Sequence, residues 1–314
     1  MKHYKQQHYV PRFYLNKFGI KKKRGYTVKC FDKITGKEYV ENVSQVCMEN
    51  YFYDKKAPPK IEKLFSQKEE QHSKVYHKIV ENESIRNLSD FEKNSVCEYI
   101  FMQNERTKST RKKYSQIAKK VYKKLEKKKN LPKFEDLPSD IQEAFLESRG
   151  EMAQLNMIFG VFKDDNGDIQ SPNEIIEYIS ELEWNLTKSD SSKEFYTSDH
   201  PVFVINPIYD EKGTIVGYGS SSYRAEGVEI YFPLSPKLCL ILYDRERSDY
   251  RRVKPERFVK KDELIWINTQ LIAMAHRTIF SRTNDFQFVK SVLDKFPELK
   301  DPERDRTFDY NLDI

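Results

Sequence analysis

Residues 173–187, NEIIEYISELEWNLT, contain the change of hydrophobic period on which the fold class depends. Residues 173–181 follow Ser171-Pro172 and have helical spacing, whereas residues 184–187 begin a series of strand-like segments. Helical patterns precede this stretch and strand patterns follow it. Runs of helices followed by runs of strands favour an α+β fold over a doubly wound parallel sheet.

Upstream of this stretch, the sequence predicts an N-terminal β-ribbon and then a helical middle. Residues 26–31 and 38–43 flank a short turn containing Gly36, which is typical of a hairpin. A capping box, Ser89-Asp90-Phe91-Glu92, opens a long basic helix. The predicted helices cover residues 61–80, 90–128, 140–162 and 173–181, with a linker at 129–139.

Downstream, the sequence predicts a mostly antiparallel sheet and one closing helix at residues 262–280. Further strands are predicted at 195–196, 202–205, 228–232 and 238–243. We expect one integrated domain over residues 1–290, with a helical half at about 58–182 and a β-rich half at about 183–282. Residues 291–314 are expected to be a charged, loosely held tail.

Composition limits the class of protein. The chain has 314 residues, 33% of them charged, and 20 Phe and 20 Tyr provide apolar area for a core. The apolar runs are much shorter than a membrane helix needs, so we expect a cytoplasmic protein without membrane contact. Four dispersed cysteines without a CxxC pair fit neither a zinc knuckle nor a secreted disulfide framework. No nucleotide-binding or hydrolase signature is present.

The positive charge is concentrated in the N-terminal half of the sequence. Residues 1–130 have a net charge of +17, and residues 131–314 have −11. Within residues 111–129, 10 of 19 residues are Lys or Arg, interleaved with tyrosines. Such a helix face predicts contacts with a nucleic-acid backbone, for which Lys119, Lys120 and Lys123 are candidates. The alternative is a solvated helix exterior with no partner.

Polar residues interrupt the apolar stripe of the long helix. Gln103, Thr107 and Thr110 occupy the centre of the stripe and Arg106 its flank. A buried amide or guanidinium without partners would cost several kcal/mol, roughly 2–7 for the amide alone, so these groups must hydrogen-bond or line a cleft. In the alternative reading, Arg106 pairs with a carboxylate and Gln103 binds a neighbouring loop.

The preceding helix has carboxylates and an imidazole near its apolar face. Glu62 and Glu69 are seven residues apart and point the same way, and His72 lies within the apolar face. These groups could ligate a divalent metal or act as acid and base. They could equally form ion pairs with Arg106, and His72 could be an ordinary core histidine.

Two more polar intrusions lie in the predicted β-rich half, one in its closing helix and one between its strands. Asn268 falls among the apolar residues of the closing helix and needs hydrogen-bond partners or a ligand. Asp199-His200 sits in a short turn between predicted strands, where catalytic groups are often mounted. The alternative is an Asx turn, in which Asp199 accepts hydrogen bonds from local backbone amides.

The opening, residues 8–18 (HYVPRFYLNKF), resembles that of a family of mostly bacterial proteins filed as a domain of unknown function. The resemblance extends in order from His8 to about Arg282. Further matching positions are Asn50-Tyr51-Phe52-Tyr53, Ile61-Glu62, Glu69, Gln103, Arg106-Thr107, Thr197-Ser198-Asp199-His200-Pro201, Phe232-Pro233-Leu234-Ser235-Pro236, Asn268, Ala275 and Arg277. This resemblance implies no assigned activity and an accessory role such as defence against phage or mobile elements.

Two main hypotheses follow, together with a weaker third. The first is a metal-dependent nuclease using Mg²⁺ or Mn²⁺. Its catalytic residues would be His8, Glu69, Asp199 and Arg106, its metal ligands Glu62, Glu69 and Asp199, and its substrate-binding residues Gln103, Asn268, Lys119, Lys120 and Lys123. The second is a non-enzymatic module that binds nucleic acid or a partner protein, with a buried ion-pair network. The third is a homo-oligomeric structural protein with aromatic residues at its interface.

Overall fold

The α+β fold predicted above is confirmed in the computed structural model. The structure describes residues 6–53, 60–159, 162–163, 169–170, 172–189, 193–210, 215–244, 254–283 and 286–306. In the described part of the chain, no helix is both long and apolar enough to cross a membrane. The four cysteines are buried as free thiols.

The N-terminal region forms the predicted hairpin and places its two strands in a larger sheet. The hairpin pairs β3 (Gly25–Asp32) with β4 (Glu38–Asn42), and Cys30 lies opposite Tyr39. In the turn between them, Gly36 adopts a positive φ of 71°. The elements of this region are β1 (Gln6–His8), α1 (Arg12–Phe18), β2 (Ile20–Lys22), β3 (Gly25–Asp32), β4 (Glu38–Asn42) and β5 (Met48–Asn50).

Five helices follow: α2 (Lys60–Asn82), α3 (Asp90–Glu105), α4 (Lys108–Lys129), α5 (Ser139–Phe159) and α6 (Pro172–Glu181). The capping box of Ser89 and Glu92 is present at the start of α3. Helix α5 lies directly against α4. A Cβ on Gly150 would come within 2.8 Å of the Arg111 carbonyl oxygen, so this close approach requires glycine.

The prediction of one continuous helix over residues 90–128 is wrong, because the chain breaks at Arg106 and Thr107. Thr107 is extended and caps α4, with its hydroxyl accepting a hydrogen bond from the Thr110 amide. The Gln154 side-chain amide donates to the carbonyl oxygens of Glu105 and Thr107 at 2.8 and 2.9 Å. The side chain of α5 thereby bridges the two sides of the break, although the Thr107 carbonyl oxygen also accepts from the Arg111 amide at 3.1 Å.

The helix predicted at 140–162 is α5, which ends at Phe159. Two short strands, β6 and β7, precede α6, and the β-rich half begins after α6 with β8. The strands are β6 (Phe162–Lys163), β7 (Ile169–Gln170), β8 (Glu183–Lys188), β9 (Thr197–Ser198), β10 (Phe203–Ile205), β11 (Pro207–Tyr209), β12 (Ile215–Tyr218), β13 (Glu229–Ser235), β14 (Leu238–Tyr243), β15 (Glu256–Phe258) and β16 (Thr278–Ser281). Residues 195–196 precede β9 and are not a strand, contrary to prediction.

The central sheet has the strand order β10-β13-β14-β8-β15 and is antiparallel except for the β8–β15 pair. Its two middle strands, β13 and β14, are buried along their whole length. Alternate residues face two different cores. Phe232 and Leu240 belong to the core that includes residues of α2 and α3. Tyr231 and Ile241 belong to a second core, which includes residues of the last two helices. These helices are α7 (Lys261–Met274) and α8 (Gln287–Lys295). The sheet therefore separates two layers of helices.

The closing helix is shorter than predicted. Helix α7 ends at Met274, and the chain turns and enters β16, which pairs with β3 and β9. The helical pattern continues past this point in the sequence, but the turn at residues 275–277 is held by contacts from Asp199, described below.

Residues 291–306, which were predicted to belong to a loosely held tail, form helical structure and pack against the rest of the protein. Helix α8 extends to Lys295, a 3-10 helix covers Pro297–Lys300, and Leu299 is buried. Arg304 and Arg306 are also buried. Residues 307–314 of the predicted tail lie outside the described residues.

Candidate functional site

Arg106 lies at the break between α3 and α4 and is 1% exposed. Its Nε donates to the Tyr9 carbonyl oxygen at 3.1 Å, and its Nη2 donates to the His8 carbonyl oxygen at 2.9 Å and to Glu69 Oε1 at 2.7 Å. Burial disfavours the charge, but the Glu69 carboxylate together with Tyr53 and Tyr99 raises the pKa of Arg106 above its ordinary value. The guanidinium is thus bound by protein acceptors.

Gln103 and His8 belong to the same junction. Gln103 Nε2 donates to the Tyr9 carbonyl oxygen at 3.1 Å, so α3 holds the N-terminal segment through two side chains. Arg106 meets His8 at its backbone carbonyl, not at its imidazole. Burial, followed by the charge of Arg12, lowers the pKa of His8 to about 4, so the ring is neutral at pH 7.

Asp199 and Asn268 also bind backbone groups. The Asp199 carboxylate accepts hydrogen bonds from the amides of His276, Arg277 and Thr278 at 2.8–2.9 Å. Burial raises the pKa of Asp199, and the amide hydrogen bonds oppose that rise. Asn268 accepts from the Tyr196 amide at 3.0 Å and donates to the Glu194 carbonyl oxygen at 2.9 Å.

The structure does not gather the predicted metal ligands Glu62, Glu69 and Asp199. Within the described ranges, no group of three or more His, Cys, Asp or Glu side chains could hold a metal ion. Glu69 contacts Arg106, and both Asp199 oxygens contact backbone amides. His72 is a buried core histidine whose Nε2 lies 3.0 Å from Glu98 Oε2. The residues present therefore do not fit the predicted Mg²⁺ or Mn²⁺ site.

A cavity of about 380 Å³ lies beside the α3–α4 junction. His200 lines it and is fixed by a 2.7 Å contact between its Nδ1 and Thr107 Oγ1. The other walls come from α4, from residues 220–224 and from Arg304 and Arg306. Each of these segments belongs to a different part of the chain.

Among the described residues that line this cavity, Glu105 is the only one with a carboxylate. It is buried and accepts hydrogen bonds from Tyr114 Oη at 2.6 Å and from Tyr223 Oη and Asn104 Nδ2, both at 3.1 Å. Burial raises its pKa, and the hydrogen bond from Tyr114, the charge of Lys113 and the hydrogen bonds from Tyr223 and Asn104 partly offset that rise. The carboxylate is therefore engaged by neutral donors.

The three lysines proposed to bind nucleic acid lie on α4 and have contacts within the protein. Lys119 Nζ lies 5.0 Å from the centre of the Phe134 ring, Lys120 pairs with Asp305 at 3.0 Å, and Lys123 pairs with Glu135. Two other lysines, Lys124 and Lys128, are exposed and make no ion pair with any residue that the structure describes.

Residues 6–285 match the model of a family described as a protein of unknown function, DUF4238. The chain belongs to this family. The match confirms the predicted resemblance to a family of unknown function. No curated protein and no solved structure matches the chain. Membership of DUF4238 assigns no activity, so the function of this chain has to be inferred from its own residues.

Sequence reasoning missed most of the residues that line the cavity of this DUF4238 chain. Glu105 directly precedes Arg106, which interrupts the apolar stripe of the predicted helix, and this position could have identified Glu105 as a candidate site residue. Arg304 and Arg306 lie in a segment without hydrophobic periodicity, which predicted a tail. Ser220–Ser222 are likewise in an irregular segment. No spacing in the sequence connects these segments to α4.

We expect protonation of His200 to make the fold acid-sensitive. Burial, then Arg306, Lys113 and Arg304, lowers the pKa of His200 to about 3. The unfolded chain takes up a proton near pH 6.5 that the native state excludes, so stability is complete above that pH and is lost as pH falls towards 3. This residue alone should cost about 2 kcal/mol between pH 7 and pH 5.

Urea denaturation of the wild type and of His200→Asn at both pH values measures this effect. Asparagine can keep a hydrogen bond to Thr107 but does not titrate. The variant should lose less stability on acidification, although His8 and His276 still contribute, since their pKa values are lowered to about 4 and about 3. An unchanged pH dependence in the variant would contradict the assignment to His200.

Proposed function

We propose that this chain is a non-enzymatic module that binds nucleic acid through helix α4. The observation that decides between the two hypotheses is that three of the four groups expected to perform catalysis, Arg106, Glu69 and Asp199, bind other groups of the protein. Arg106 and Glu69 bind each other, and Asp199 binds three backbone amides. Hydrolysis would need such groups around an open cleft, facing the substrate.

The same contacts support an architectural role for these residues. Arg106 and Gln103 attach the N-terminal segment to the end of α3, and Asp199 attaches the turn between β9 and β10 to the turn after α7. A buried ion pair of this kind is satisfied by its partners and has no free charge to offer a phosphate. We therefore favour binding over phosphodiester hydrolysis.

The basic face of α4 supports a nucleic-acid partner. Lys120, Lys124 and Lys128 are spaced four residues apart, so they lie on one side of the helix, and all three are exposed. Lys124 and Lys128 are not neutralised by acidic side chains of the described part of the chain. Such lysines would replace cations condensed along the phosphate backbone, and the release of those cations favours binding at low salt.

Fluorescence anisotropy with generic RNA and DNA strands at several salt concentrations tests the proposal. Affinity should fall linearly with salt on a log–log plot, and Lys124→Ala/Lys128→Ala should make the slope shallower by roughly 0.7 to 0.9 per lysine. The matched control is Lys260→Ala/Lys261→Ala, which removes the same charge from exposed residues at the start of α7. Equal slopes for the two double variants, or a flat salt response, would exclude phosphate contacts on α4.

Incubation of the same strands with Mg²⁺ or Mn²⁺ tests the competing hypothesis. We expect intact strands after incubation. Cleavage that is lost in Asp199→Asn, in protein that remains folded, would restore the nuclease hypothesis.

The proposed setting is the bacterial cytoplasm, in defence against phage or mobile elements, as the family resemblance implies. The buried free thiols of Cys30, Cys47, Cys97 and Cys239 are compatible with a reducing compartment. A nucleic-acid-binding module would serve such a role by recognising foreign strands.

A further inference from the structure

We propose that residues 301–306 limit the part of helix α4 that nucleic acid can contact, because Glu303 pairs with Lys112 where a phosphate would otherwise bind. These residues are called the 301–306 segment below. The inference rests on the proposed function and deepens it, since it assigns an inhibitory contact to the same basic helix. Nucleic acid would then be confined to the second half of α4.

Helix α4 carries a row of long polar side chains spaced four residues apart, at positions 112, 116, 120, 124 and 128. Four of them are lysines, and the fifth is Gln116. At a rise of roughly 1.5 Å per residue, neighbouring members of the row are about 6 Å apart along the helix axis. If every lysine were available, the row could follow a phosphate backbone along most of the helix.

Two carboxylates of the 301–306 segment meet lysines in the first half of this row. Lys112 Nζ lies 2.5 Å from Glu303 Oε2, and Lys120 Nζ lies 3.0 Å from Asp305 Oδ2. Among the described residues, Glu303 is the only ion-pair partner of Lys112. Ammonium groups bind carboxylate and phosphate oxygens through the same charge-assisted hydrogen bonds. Glu303 therefore takes a position that a phosphate of a bound strand would need.

The backbone of the 301–306 segment is held against α4 independently of these carboxylates. Gln116 Nε2 donates to the carbonyl oxygens of Glu303 and Arg304 at 3.3 and 2.8 Å, and Gln116 Oε1 accepts from the Arg306 amide at 2.8 Å. The buried Arg304 side chain donates to two carbonyl oxygens at the end of α7, at 2.6 and 2.7 Å. An exposed ion pair alone contributes little, because two long side chains must be ordered. Here the fold already places Glu303 beside α4, so a strand would have to displace an anchored segment.

A groove of about 310 Å³ lies where the segment meets α4, and four lysines line it, namely Lys112, Lys119, Lys120 and Lys123. Among the described residues of this groove, the only carboxylates are those of Glu303 and Asp305. A concave surface lined by lysines attracts phosphates, and carboxylates placed within it oppose that attraction. The 301–306 segment thus weakens phosphate binding in the first half of the row. The uncovered second half contains Lys124 and Lys128.

Fluorescence anisotropy of Glu303→Gln with the generic RNA and DNA strands tests this boundary. The substitution removes the negative charge and keeps the size of the side chain. We expect tighter binding at low salt and a salt dependence steeper by roughly 0.7 to 0.9, the contribution of one additional lysine. The matched control is Glu298→Gln, which removes the same charge from an exposed residue without an ion pair to α4 in the described part of the chain. Equal slopes for the two variants would overturn the boundary.

Adding Lys112→Ala to Glu303→Gln assigns the gain to one lysine. The double variant should lose the additional slope, whereas Lys112→Ala alone should keep the wild-type slope because Glu303 already occupies that lysine. A double variant that remains as steep as Glu303→Gln would contradict the role of Lys112.

Hydrogen exchange of the Arg306 amide shows whether the segment stays in place. Because this amide donates to Gln116, it should be equally protected in the wild type, in Glu303→Gln and in the wild type saturated with a strand. Loss of protection on binding would mean that the strand displaces the segment, and would overturn a fixed boundary.

The failure of this inference and the failure of the proposed function give different results. If Lys124→Ala/Lys128→Ala makes the wild-type slope shallower but Glu303→Gln leaves it unchanged, only the boundary fails. If neither the wild type nor Glu303→Gln binds any strand, the proposed function fails and the boundary fails with it.

Discussion

Replacing Arg106 with alanine is expected to lower the free energy of unfolding by about 3–5 kcal/mol. The substitution leaves the carbonyl oxygens of His8 and Tyr9 without a shared donor and deprives Glu69 of its countercharge. It also removes the guanidinium from above the Phe65 ring, 4.9 Å from the ring centre. Loss of one partner from a buried pair is costly because the other groups remain desolvated.

Urea denaturation followed by circular dichroism measures this loss. Arg86→Ala is the matched control, because the Arg86 side chain is 66% exposed and its ion pair with Glu256 spans 3.5 Å. Exposed pairs contribute roughly 0–1 kcal/mol, so the control should unfold almost like the wild type. Arg106→Lys should lie between them, since lysine cannot reproduce the forked geometry. Equal stability of Arg106→Ala and Arg86→Ala would refute the architectural role of Arg106.

Replacing Asp199 with alanine is expected to lower the free energy of unfolding by about 3–5 kcal/mol, since a buried donor without an acceptor costs about 1–3 kcal/mol. Three backbone amides, those of residues 276–278, lose their acceptor together. The buried ammonium of Lys33 also loses a nearby negative charge, and only carbonyl oxygens remain as its partners.

The same denaturation assay is applied to Asp199→Asn and Asp294→Ala. The comparison separates the loss of the buried hydrogen-bond acceptor from the effect of removing any aspartate. Asparagine keeps one acceptor oxygen and should lose less stability than alanine. The Asp294 side chain is 77% exposed and its pair with Lys300 spans 3.6 Å, so its removal should change stability by about 1 kcal/mol or less. A fully stable Asp199→Ala protein would mean that the carboxylate is not structural and would reopen its assignment to chemistry.

The sequence was sufficient to identify some of the buried polar groups, but not what they bind. Helical projection placed Gln103, Arg106 and Asn268 among apolar residues, and all three are buried with partners. Their partners are mostly backbone atoms more than 70 residues away along the chain. Every residue carries the same carbonyl and amide, so no side-chain pattern can indicate which of them will be the partner.

Two of the helix boundaries that were predicted wrongly, those near residues 106 and 275, have the same cause. Thr107 and Thr110 continue the helical stripe, so periodicity does not reveal the break, which depends on Arg106 reaching the N-terminal segment. Likewise, Thr278 fits the pattern of α7, but Asp199 holds the turn that redirects the chain into β16. The cavity could not be predicted either, because its walls come from irregular segments whose positions depend on the finished fold.

The pairing of β3 with β16 has a consequence for how the chain acquires its structure. Phe31 lies opposite Ile279, so almost 250 intervening residues must be brought round before this pair can form. Closing such a long loop is entropically unfavourable, and contacts of this separation generally slow folding. We expect the edge of β3 that pairs with β16 in the native fold to remain unpaired while the helices assemble. During that interval the hairpin would be prone to pair with the wrong strand, including one from another molecule.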